Sequence, residues 1–218
     1  MSLFERKARP LTRDVASLRD DRLFIVACDD TFAPKQYFDF FRITRVKIHV
    51  VPTTDGTSAA AHVLDRPLQF DHEPDDELWM LLDTDHCAQG THLQGFVTAL
   101  RDAKQKGVNV ALSKPCFELW LLFHHQHESS VGELSTAADV EVQLRAHLGA
   151  YNKTRLNAAH YPLESVVEAH TRASRLDAAV VGGDIPAANT SRVYRLLEAI
   201  VQKALPSQLP PPLRDIHR

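Results

Sequence analysis

"LWMLLDTDHC", residues 78–87, runs apolar as far as Leu82 and then sets two aspartates one residue apart. A short apolar run bounded by acidic residues reads as a buried strand meeting water. Strand side chains alternate faces, so Asp83 and Asp85 project the same way if the strand continues past its apolar part. Carboxylates held that close repel unless a cation or a proton separates them. The spacing therefore suits a metal. It also suits a plain turn, because Asp is a frequent turn former after a strand.

Working outward, the same pattern recurs. "LFIVAC" (23–28) is apolar and β-branched and stops at Asp29 and Asp30, "RVKIHVV" (45–51) alternates and stops at Pro52, and "VNVAL" (108–112) is a further apolar run. Helical spacing fills the intervals. "PKQYFDFF" (34–41) starts on a proline and lines up Tyr37, Phe38 and Phe41, residues 56–65 are rich in alanine, and residues 91–106 place Leu93, Phe96, Val97 and Leu100 on one stripe before Gly107. Pro suits a helix start and Gly a helix end. Strands interleaved with helices predict an α/β core with a mostly parallel four-stranded sheet flanked by helices.

Beyond Pro115 the pattern is helical. "PCFELWLLFHHQ" (115–126) is strongly apolar, residues 136–148 and 163–179 are amphipathic, and "NTSRVYRLLEAIVQKAL" (189–205) closes the series behind Gly182 and Gly183. Asn189 or Thr190 is the expected cap of that last helix. The expected organisation is a polar arm (1–20), the α/β core (21–128), a helical region packing on it (129–205) and a Pro-rich, exposed tail (206–218).

Composition excludes some functions. The chain has 218 residues, 44% of them apolar, and a net charge of −3, so no overall basic field draws it to nucleic acid, although a local basic groove is compatible with that balance. Cys28, Cys87 and Cys116 are widely spaced without a CxxC and fit small buried hydrophobes in a reducing compartment. The charged start is no signal peptide, and no apolar run approaches the roughly eighteen residues of a membrane span. The expectation is a soluble cytoplasmic protein with no membrane partner. "VVGGD" (180–184) lacks the lysine and helix context of a phosphate loop.

In open α/β sheets, ligands gather beyond the carboxyl ends of the strands. Asp29, Asp30, Asp83 and Asp85 all fall at such ends. If the first and third strands are neighbours, these oxygens converge on one point, which suits Mg²⁺. His86 directly follows the acidic pair and is the histidine placed near the chemistry, whereas His124 falls on an apolar face and reads as a packed core residue. Glu118 is the single charge within "CFELWLLF" (116–123). It reads either as the thin polar side of a buried helix or as a carboxylate held near the site by a rigid apolar frame.

These blocks together resemble the RloB-like family, bacterial proteins of restriction-like and abortive-infection loci in the Toprim-like superfamily. "IVACDDTFAPKQYF" is similar to the family's opening strand, "LLDTDH" to its D-x-D block, "SKPCFELWLLFH" to its S-N-P-C-F-E-x-W string, and "AANTSRVYRLL" more faintly to a late N-P-S-T-x-V block. The family's glutamate after strand one falls on Asp29, its glycine on Asp30, and its T-E pair on Ala33 and Pro34.

The resemblance implies a Mg²⁺-dependent nuclease, with Mn²⁺ as a substitute ion, cleaving DNA or RNA in anti-phage defence. By carry-over, Asp29 is a general acid/base and Asp83 and Asp85 bind the ion, Asp29 sharing in the metal shell. Glu118 completes or orients that shell. It further implies an AAA-type or ABC-like ATPase partner, and offers Asp30, His86, Lys153 and Arg155 as substrate-binding candidates. On its residues alone, "YNKTR" (151–155) reads first as an ordinary solvated loop. The rival reading is a non-catalytic Toprim module that binds nucleic acid or the ATPase, favoured by the shorter reach of Asp29. A phosphatase or other phosphotransferase is a third.

Overall fold

The computed structural model describes residues 21–85, 92–180 and 183–216. The expected polar arm, His86, Cys87 and Gly182 lie outside these. The core elements run β1 (Arg22–Cys28), α1 (Ala33–Asp39), β2 (Val46–Val51), α2 (Ala60–Gln69), β3 (Glu77–Asp83), α3 (Leu93–Gln105) and β4 (Asn109–Lys114). The helical part adds α4 (Glu118–Phe123), α5 (Ala137–Leu148), α6 (Leu163–Ala179), a short strand β5 (Thr190–Ser191) and α7 (Val193–Lys203).

The sheet has five strands in the order β2-β1-β3-β4-β5. The first four are mutually parallel, and β5 pairs antiparallel with Ser113 and Lys114 of β4. The mostly parallel sheet is as expected, with an edge strand added. Thr190, one of the two expected caps, forms that strand with Ser191 instead, and α7 starts at Val193 behind Arg192. The second helix also lies further along than residues 56–65.

Alternation along the strands sorts the core into two halves. Phe24, Val26, Cys28, Trp79, Leu81 and Ala111 face α1, α4, α6 and α7. Ile25, Ala27, Met80, Leu82 and Leu112 face α2 and α3. Continuous apolar strands are what a sheet covered on both sides requires. Helix α4 is buried throughout, Trp120 and Phe123 fully so, because it lies sandwiched between the sheet and the later helices. Helix α5 is fixed at its start by a capping box: Thr136 Oγ1 accepts from Asp139 N–H, and the Asp139 carboxylate accepts from Thr136 N–H. It ends at Gly149, whose φ of 73° favours glycine.

The Pro-rich end is not an exposed tail. Two short 3-10 turns, Pro206–Gln208 and Pro211–Asp215, carry Leu209 and Leu213 into the core. Apolar residues interleaved among the prolines give this segment something to bury, whatever its proline content.

Candidate functional site

The strand order reverses at β1. From β1 the chain crosses by α1 to β2 on one side, then by α2 to β3 on the other, and α1 and α2 cover opposite faces. A crevice opens where connections leave in opposite directions, beyond the carboxyl ends of the two central strands. Asp29 follows β1 and Asp83 ends β3 at that place. The Asp83 N–H donates to Oδ2 of Asp29 at 2.8 Å, so the two strand ends meet.

A cavity of about 200 Å³ lies there, lined by Asp29, Asp30, Asp83, Asp85, Glu118 and Lys153, together with Ser58, Cys116, Ala137 and Glu141. Asp85 lies beyond the strand, in a turn whose N–H donates to the Pro115 carbonyl at 3.2 Å. Glu118 opens α4 and is 3% exposed, with Oε1 accepting from the Tyr151 hydroxyl at 3.1 Å. Asp30 lies in the turn before α1, its Oδ1 accepting from the N–H groups of Phe32 and Ala33. Its Oδ2 takes the Lys153 ammonium at 3.1 Å. Arg155 is exposed and is not among the residues lining the cavity.

Burial decides the electrostatics. It pushes the Asp29 carboxyl up to about 7, the charges of Asp30 and Asp85 adding to it and the Asp83 N–H opposing it. Burial also holds Asp83 well above the ordinary carboxylate range, reinforced by Asp29, Glu118 and Asp85. Glu118 is raised by burial and by Asp30. Cys28 and Cys116 are buried free thiols, both pushed up by burial and by adjoining carboxylates, so neither is a reactive thiolate. At Lys153 burial works against the ammonium, but the charges of Asp30 and Glu118 outweigh it and raise its affinity for the proton.

Among the described residues, no three His, Cys, Asp or Glu side chains lie close enough to hold a metal ion between them. In kind, the donors fit a hard divalent cation, since Asp29, Asp83, Asp85 and Glu118 offer only oxygen and repel one another. Mg²⁺ is commonly held by one or two carboxylates, with water and substrate phosphate completing the shell, so it does not require a ready-made cluster of three.

His124 belongs to the interior. It is 4% exposed, with Nε2 and the Tyr37 hydroxyl 3.1 Å apart and Nδ1 and the Ser165 hydroxyl 2.8 Å apart. Burial drives its pKa well down, so it packs as a neutral ring. Tyr151, Cys116, Ser58 and Glu141 were not singled out from sequence. Only Cys116 had a local signal, lying two residues before Glu118. Glu141 reaches the cavity through the packing of α5, which no local pattern announces.

The fold and cavity define a doubly wound α/β protein with an acidic cleft at its switch point. More narrowly, the model described as RloB-like protein matches residues 24–200, and the chain belongs to that family. No curated protein and no solved structure matches it.

Proposed function

We propose that this chain is a Mg²⁺-dependent nuclease of the Toprim type, hydrolysing phosphodiester bonds of DNA or RNA in anti-phage defence. The observation that carries the reading is the convergence of Asp29, Asp83, Asp85 and Glu118 from separate elements on one cavity, with too little positive charge to balance them. Asp83 and Asp85 would hold the ion, with Asp29 beside them and Mn²⁺ as a substitute. When bound, the ion supplies charge stabilisation at phosphate and lowers the pKa of a water.

The residues do the rest. Asp29 is anchored through Oδ2 to the Asp83 N–H, and its affinity for a proton near neutral pH suits a group that both takes and gives one. Glu118 is held by Tyr151 and keeps Asp83 company as an orienting carboxylate. Lys153 faces substrate phosphate, released from Asp30 as the substrate enters. The protein works in the cytoplasm, with an AAA-type or ABC-like ATPase as partner. Both assignments extend the sequence resemblance, and among the described residues no helix is long and apolar enough to cross a membrane.

The test is Asp83→Asn, which keeps the shape and removes the charge. It should leave the fold intact and lower Mg²⁺-dependent cleavage by more than ~100-fold. Asp29→Glu, restoring the residue common in the family, should preserve or raise the rate. Substrates are single-stranded DNA, duplex DNA and structured RNA, in Mg²⁺ and Mn²⁺, with and without the ATPase. Undiminished cleavage by Asp83→Asn sinks the mechanism. A wild type inert throughout and binding no ion favours the non-catalytic module, a reading that the short Asp29 side chain supports.

A further inference from the structure

The 151–156 loop reaches the acidic cleft from the helical region, far from the core in sequence, and three fasteners hold it there. Tyr151 bonds Glu118, the Lys153 ammonium bonds Asp30, and between them sits Gln36 of α1. Its Nε2 donates to the Lys153 carbonyl at 2.8 Å, and its Oε1 accepts from the Leu156 N–H at 2.9 Å. One amide therefore grips the backbone of the lysine itself and the far end of the loop at Leu156. Within that segment Asn152 Oδ1 accepts from the N–H and hydroxyl of Thr154, at 2.9 and 2.8 Å, which stiffens the turn.

Gln36 and Asp30 belong to the same β1–α1 unit. One fixes the backbone of Lys153, the other its ammonium. We propose that Gln36 is the positioning residue that registers the 151–156 loop on the core and so aims Lys153 into the acidic cleft, where it serves the substrate's phosphate. The assignment of phosphate to Lys153 rests on the nuclease reading above. The placement of the loop does not.

The side chain is specified by its two ends. Leucine offers neither donor nor acceptor. Glutamate keeps an acceptor for Leu156 but loses the donor to the Lys153 carbonyl. Asparagine is one methylene short of bridging both. Both loop groups that Gln36 grips are backbone, so the clamp leaves no trace as a pattern of loop residues.

The first measurement needs no activity. Amine-reactive labelling of the full chain, read by mass spectrometry, should show Lys153 several-fold more reactive in Gln36→Leu than in wild type, with Lys35 and Lys104 unchanged as internal references. Circular dichroism verifies folding, and Gln36→Glu serves as the milder variant if Gln36→Leu does not fold. Unchanged Lys153 labelling in a folded variant overturns the clamp.

The second measurement is a double-mutant cycle on binding of a labelled single-stranded oligonucleotide without divalent ion. Gln36→Leu and Lys153→Met should each weaken binding several-fold, and the double variant should be no weaker than Lys153→Met alone. Additive losses overturn positioning, since Gln36 would then act independently of the lysine. If no form binds the oligonucleotide, the assignment of phosphate to Lys153 falls, the cleavage assay above judges the nuclease reading, and labelling alone judges the clamp.

Discussion

Two sets of buried carboxylates in this molecule have opposite fates. Asp177, on α6, has a side chain only 3% exposed, yet it stays ionised. Arg192 Nε donates to it at 2.9 Å, Arg195 at 2.6 Å and the Tyr194 hydroxyl at 2.9 Å. Burial opposes its charge, but these hydrogen bonds and the two guanidinium charges outweigh that and hold its carboxyl below the ordinary range. At the carboxyl ends of β1 and β3, Glu118 is buried and Asp29 and Asp83 are half-buried, and all three are raised. Their neighbours are mostly other acids, with Lys153 as the cation at the cavity wall. Burial is common to both regions, so the supply of positive charge makes the difference. The Asp177 cluster is a finished staple between α6 and the α7 end of the fold. The cleft is left short of positive charge, the condition under which the ion proposed above would be drawn to it.

Removing the anion from each region should therefore act in opposite directions. The largest effect is expected at the staple. Asp177→Ala leaves two guanidinium groups facing a space without their acceptor, and breaking a buried pair in this way costs roughly 3–5 kcal/mol. Urea unfolding at pH 7.5 measures it. A loss under about 1 kcal/mol would mean that the cluster is solvated and the comparison false.

At the cleft, Asp29→Asn should stabilise the metal-free protein, by on the order of 2 kcal/mol at pH 8. The sign follows from linkage. The unfolded carboxyl ionises near 3.8 and the folded one near 7, so below 3.8 both states hold the proton and the group contributes nothing. Between those values the unfolded state gains from ionising while the folded one does not, and stability falls until pH passes about 7. The advantage of Asn should accordingly shrink as pH drops toward 4. Asp177 has the reverse dependence: its contribution is present above the unfolded value and is lost as pH falls through its depressed folded value. Urea midpoints for wild type, Asp29→Asn and Asp177→Ala between pH 3.5 and 8 would separate the two slopes. A destabilised Asp29→Asn at pH 8 would show that the cleft already has its compensating charge.

What was legible in the sequence divides along the same line. The strands and the core helices announce themselves through local apolar periodicity, and the acids at strand ends follow from where such ends fall in a parallel sheet. Asp29, Asp30, Asp83 and Asp85 could be grouped for that reason, and Glu118 through the apolar frame around it. Residues 190–191 carry no alternation because two residues are too short to show any, and their pairing is set by Ser113 and Lys114 across the sheet. Composition hides the packing of the Pro-rich end, since burial there depends on a few apolar residues, Leu209 and Leu213 with Ile216 beside them. The staple was invisible altogether. Asp177 lies in the last turn of an amphipathic helix, and its partners come from the start of a different helix, α7, further along the chain.

The smallest expected effect, that of Arg195→Met, tests against Arg192→Met whether burial or mere charge count makes the staple strong. Arg192 and Arg195 both bond Asp177, but their side chains are 11% and 46% exposed. Arg192 also donates to the carbonyls of Asp184 at 2.6 Å and Gly183 at 3.2 Å, so its loss strands three acceptors. Arg195 shares its remaining contact with the Tyr194 hydroxyl in a position open to water. Water takes over such bonds readily, and screening reduces the charge term. Arg192→Met should then cost about 2–4 kcal/mol and Arg195→Met under ~1 kcal/mol, with methionine keeping most of the aliphatic packing in each. The pair is read in one set of urea curves at low and at 0.5 M salt, and only Arg195→Met should converge on wild type as salt rises. Equal losses would mean that Asp177 needs two cations wherever they sit. The cleft, with its several acids and one lysine, would then be further from balance than its burial alone implies.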